Sequence, residues 1–213
     1  MKVKISFFKC FIIALFIIGI IIFLIFALSS KSVPIGERNK IKEFISNNYS
    51  SFSLKDIDKG ANDGYEISVE FDGPELTLSD SVTCYKELLD YVSEEKMTLY
   101  NVPITFEIRA ENDSSPTTVI LSDRSDFTEE FNYSYLRYVH VSSIANDLSI
   151  LDDYSKEIQE LKIFEMSDPH LPDIEQFEAL KKLTVSGCHN SNGEDILSKE
   201  LIAKLEEKGI EYN

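Results

Sequence analysis

His140, Lys162 and Thr184 follow one another at intervals of 22 residues in a chain of 213 that holds three histidines. An imidazole beside an ammonium favours its neutral form, so such a rung could supply a hydrogen-bonding selector. No third group turns it into a nucleophilic set. His189 follows Cys188, and an adjacent Cys and His pair falls short of the three or four ligands a metal requires. Asp123, Asp126, Asp152 and Asp153 could serve an envelope enzyme, but no spacing among them specifies a paired acid and base. The chain has no phosphate loop, GxSxG elbow or HExxH motif. We therefore assign no catalytic residue, no metal site and no cofactor.

The interval itself carries more information. Leu136, Val139, Val141 and Ile144 precede Ile158, Leu161, Ile163 and Met166, which precede Leu180, Leu183, Val185 and Cys188; each residue lies 22 positions from its counterpart. All the columns are apolar. A period of this size indicates stacked units, because one repeat cannot bury its apolar face alone whereas neighbours build a continuous core. Leu171, Ile174 and Phe177, and before them Leu148, Leu151 and Tyr154, continue two copies at three-residue intervals.

These residues resemble the leucine-rich repeat, of the 22-residue kind found in bacterial surface proteins such as the internalins. Cys188 stands where that family holds a buried Asn or Cys, whereas Ile144 and Met166 depart from it. The resemblance implies that the residues between the columns point out of a concave sheet. The binding set is then Tyr138, His140, Lys162, Phe164, Lys182 and Thr184, with Phe164 and Tyr138 as aromatic anchors. Counting back 22 places Thr117 and Val119 beneath Val139 and Val141 as a degenerate first strand. After Cys188, helical spacing of Ile196, Leu197, Leu201 and Leu205, then Gly209 and an Ile210, Tyr212 alternation, predict a capping helix and an edge strand.

Upstream, Ile41, Phe44 and Ile45 share a helical face, and Tyr65, Ile67, Val69 and Phe71 alternate with Glu66, Ser68 and Glu70 as in a half-buried strand. Val82, Tyr85, Leu88, Leu89 and Val92 recur at helical spacing, and strands are expected around Ile104–Ile108 and Thr117–Leu121. "DIDKGANDG" reads as a turn.

Residues 11–28 are apolar without interruption, long enough at ~1.5 Å per residue to cross a hydrocarbon layer. They read as a transmembrane helix that anchors the chain to the membrane, the alternative being a cleaved signal behind Lys2, Lys4 and Lys9. The basic residues abutting the run favour an internal amino end. The formal net charge is −16, which disfavours binding to nucleic acid or anionic lipid.

The expected fold is α/β: a cytoplasmic tail and transmembrane helix or signal peptide at 1–30, a small α+β unit at 31–116, and a short leucine-rich-repeat-like solenoid with a helical cap at 117–213. The expected protein is single-pass in the cell membrane, with its carboxyl portion extracytoplasmic. It is non-enzymatic and holds a protein or peptide on the concave face; the alternatives are an envelope enzyme and a structural membrane scaffold.

Overall fold

The computed structural model describes residues 33–60, 64–110, 116–126, 135–145 and 147–213. Helix α1 (Ile35–Asn48) leads into strand β1 (Phe52–Lys59), which pairs antiparallel with β2 (Tyr65–Phe71). Helix α2 (Leu78–Glu94) then crosses over to β3 (Ile104–Ala110), which lies parallel to β2. Strand β4 (Thr117–Ser122) is antiparallel to both β3 and β5 (Tyr138–Ser142). From there β6 (Glu160–Phe164), β7 (Lys182–Ser186) and β8 (Glu211–Tyr212) add in parallel, with α3 (Lys199–Lys208) before the last. The eight strands form one sheet whose spatial order is the order of the sequence.

Local chemistry explains the elements. At the start of α2, Thr77 accepts a hydrogen bond from the Asp80 amide and donates one to its carboxylate, satisfying an orphan donor of the first turn. Val82, Tyr85, Leu88, Leu89 and Val92 bury one face of that helix. Ser198 caps α3, and Gly209 closes it in the left-handed conformation that glycine adopts without a Cβ penalty.

In the sheet, alternation sends Ile67, Val69, Ile104, Phe106, Ile108, Val119, Leu121, Val139, Val141, Leu161, Ile163, Leu183 and Val185 into one core. Burying each such side chain contributes roughly 1.5–3 kcal/mol. The cross-strand pairs Val139, Leu161, Leu183 and Val141, Ile163, Val185 are in register, so the 22-residue interval is the advance from one parallel strand to the next. Leu148 and Leu151, then Ile174 and Phe177, close the return paths in and beside 3₁₀ turns at Ser149–Tyr154 and Ile174–Gln176.

Three expectations are corrected. The sheet is mixed rather than that of an α/β fold, because antiparallel pairing of β4 with β3 and β5 breaks any run of parallel strands and the return paths are 3₁₀ turns and coil rather than helices. The step of 22 residues stops at β5: Val119 does lie beside Val141, but antiparallel, with Leu121 rather than Thr117 beside Val139. The transmembrane run at 11–28 lies outside the described residues, and no helix among those described is long and apolar enough to cross a membrane. The single-pass anchor, the cell-membrane localisation and the extracytoplasmic orientation are set aside on that finding. "DIDKGANDG" also differs: its first four residues belong to β1, whose irregularity between Leu54 and Asp56 shifts the apolar period.

Candidate functional site

Helices and return paths cover one face of the sheet; side chains of the opposite parity occupy the other, open face. Its register is read directly from the pairing. One row runs Glu66, Thr105, Ser122, Tyr138, Glu160, Lys182; the next runs Ser68, Glu107, Ile120, His140, Lys162, Thr184; the third runs Glu70, Arg109, Thr118, Ser142, Phe164, Ser186.

Four residues of the expected binding set meet on β5 and β6. The rings of His140 and Phe164 lie 5.0 Å apart between centroids, inclined by 35°. Lys162 Nζ sits 4.9 Å from the centre of the Tyr138 ring, within cation–π range, and 3.0 Å from Glu160 Oε1. Lys182 and Thr184 stand one strand away. Thr184 Oγ1 donates to Asn213 Oδ1 at 2.7 Å, so its hydroxyl is engaged at the margin of the sheet rather than joined to this cluster.

Electrostatics follow from half-burial. Desolvation, and then the neighbouring Lys162 charge, lower the pKa of His140 against an opposing pull from Glu107, so the imidazole is neutral at pH 7. Burial works against the charge of Lys162, but its interactions with Glu160 and Tyr138 prevail and hold its pKa above the usual lysine value. Burial raises the pKa of Tyr138, against the pull of Lys162.

Glu160 is the residue the sequence misplaces. Its parity is that of the open face, yet it is 1% exposed, enclosed beneath Tyr138 and Lys162. A charge so buried persists through its pairing with Lys162. On β3, Glu107 is likewise buried and takes Arg109 at 2.7 Å. The signal for this second, acidic half of the face was present in the polar members Glu66, Ser68 and Glu70 of the alternation that defined β2.

The acidic residues weighed for catalysis do not converge. Asp123 is fully buried and accepts from the Ile104 amide at 3.2 Å, Asp126 lines a cleft on the open face, and Asp153 lines a different one. Asp152 receives the Asp173 amide at 3.0 Å. No group of three or more metal-ligating side chains occurs among the described residues, and Cys84 and Cys188 are both free thiols. No protein-family model, curated protein or solved structure matches the chain.

Proposed function

We propose that the chain is a non-enzymatic recognition protein that holds a protein or peptide partner against the open face of its sheet. The observation that carries this reading is the ledge on β5 and β6, where Phe164 stacks on His140 and Tyr138 lies under Lys162. Aromatic side chains held rigid by such neighbours present large area at small entropic cost, which is what interface anchors require. The regular 22-residue offset of β5, β6 and β7 supports kinship with leucine-rich repeats, whose sheets serve the same purpose.

Photo-crosslinking tests the reading. A probe at position 164 of the full chain should form a specific adduct that a probe at Lys199, on α3, does not. Phe164→Ala should then weaken affinity for the captured partner roughly tenfold or more. Equal labelling from both positions, or none, would remove the ledge as the contact surface.

A further inference from the structure

Toward β1 the open face changes character. Two clefts of about 330 and 420 Å³ lie over β1 to β6 and share Glu66 as a wall. Gly64 lets the floor of the smaller one come close, since a Cβ there would stand 2.6 Å from the Pro103 carbonyl oxygen. Carboxylates outnumber cations in both linings: Asp56, Glu66, Glu70 and Glu107 against Lys55 and Arg109 in the larger, Glu66, Asp126 and Glu160 against Arg124 in the smaller.

Some of this charge is answered from within the chain. Arg38 pairs with Asp56, Arg109 with Glu107, and Lys162 with Glu160. Glu160 keeps an unmet capacity all the same, for its buried Oε1 accepts no hydrogen bond of sound geometry among the described residues. Glu66 and Glu70 are half-buried on the same face of β2 and pair with no cation among the described residues; Arg109, in register with Glu70, turns to Glu107 instead. Four residues separate the two, ~13 Å along a strand, and Glu107 sits diagonal to both as the register partner of Ser68, at the ~7 Å typical of that relation. Each outer carboxylate therefore meets a like charge that one arginine answers only once, while the sheet partly desolvates all three. Cations arriving from outside relieve both costs.

We propose that these clefts receive lysine or arginine side chains from a basic segment of the partner whose apolar part rests on Phe164. The inference rests on the reading of the ledge given above. Charge complementarity selects the occupant: an acidic partner segment would meet Glu66 and Glu70 unscreened, and the chain as a whole carries −16.

The test uses the full chain and a labelled arginine–glycine peptide, with a glutamine–glycine peptide as the neutral control, followed by fluorescence anisotropy at low salt. Glu66→Gln/Glu70→Gln should weaken arginine-peptide binding at least tenfold. Glu43→Gln/Glu207→Gln, which removes the same charge from exposed helical positions, should change it less than twofold. Glu70→Gln alone should give an intermediate loss, and thermal melts should be unchanged in all variants. Equal losses in the two double variants would mean diffuse attraction to an acidic domain and overturn the proposal, as would binding of the glutamine peptide as tight as that of the arginine peptide. If the arginine peptide fails while the probe at 164 still forms its specific adduct, only this inference falls; if both fail, the ledge falls with it.

Discussion

His140 and Phe164 are diagonal neighbours across a parallel strand pair: Ser142 is the register partner of Phe164 and Lys162 that of His140, yet the two rings close the diagonal to 5.0 Å. Diagonal contacts of this kind lie within reach of aromatic side chains. The stack fixes Phe164 on the open face without sinking it into the core, so binding and folding can be separated by mutation. Phe164→Ala should cost about 1 kcal/mol or less of stability, whereas Leu161→Asp, at a position with no exposure, should unfold the domain by placing an unpaired charge among apolar side chains. Urea denaturation of both variants checks this; comparable losses would mean that Phe164 is a core residue.

The ion pair beneath Tyr138 should show the asymmetry of buried charges. Lys162→Met leaves Glu160 enclosed without its cation and should cost about 3 kcal/mol or more, while adding Glu160→Gln should restore a large part of the loss. A double-mutant cycle in urea measures the coupling. If the double variant is no more stable than Lys162→Met alone, the pair does not hold Glu160 in place.

The same lysine governs His140. Desolvation is the larger influence lowering the imidazole pKa and the Lys162 charge the next, so Lys162→Met should move the His140 midpoint upward toward the free value without reaching it. Side-chain NMR titration reads this directly. An unchanged midpoint would mean that burial alone sets the neutral state.

Asp123 gives the fold a dependence on pH. Burial outweighs the hydrogen bond from Ile104 and the nearby Arg137 and Arg124 charges, and lifts its pKa from 3.8 to about 7. The folded state therefore binds the proton more tightly than the unfolded chain does. Its contribution is fully present below about pH 4 and is lost as pH rises through 7. Each tenfold difference in proton affinity between the two states is worth ~1.4 kcal/mol, so the change is on the order of a few kcal/mol. Asp123→Asn should flatten this part of the profile, so the variant's stability relative to the wild type should improve between pH 5 and pH 8 in matched urea titrations. A constant difference would show that Asp123 does not titrate in that range.

Ser143, Glu165 and Gly187 follow β5, β6 and β7 at the same 22-residue step, and all have positive φ, at 54°, 52° and 67°. The turn that ends each strand is thus one conformation written with three residues, and only the last has no Cβ to oppose it. Glu165→Gly should leave stability unchanged or raise it by up to about 1 kcal/mol, because it exchanges a left-handed strain of about 1–2 kcal/mol for a smaller entropic cost. Gly187→Ala should lower it by about 1 kcal/mol through the backbone, since the nearest atom to the new Cβ would be Glu165 Cγ at an ordinary 3.5 Å. Thermal melts decide; equal effects in both variants would contradict the conformational argument.

The parts of the fold written in periodicity could be read beforehand. The alternation at Ile67, Val69 and Phe71, the helical face of α2, and the 22-residue columns all lie where their spacing places them, because each records burial on one side of a regular element. Strand β1 escaped notice because the irregularity after Leu54 puts Ile57 three residues on instead of two, erasing the alternation. Parallel and antiparallel neighbours leave the same residue spacing, so the direction of β4 was invisible. Of the site, Tyr138, His140, Lys162 and Phe164 were legible by parity; the enclosure of Glu160 was not, because it depends on how the longer Lys162 and Tyr138 side chains fold across it.

The correspondence between strand order and sequence order has a consequence for assembly. A sheet in which each strand lies beside the one made just before it never requires insertion between two strands already in place, and every closure spans only one connection. Released from a ribosome, the chain delivers its strands in the sequence in which the growing edge accepts them. Each arriving strand meets a finished border, and at no stage does the nascent protein hold an open slot that a stranger's strand could fill.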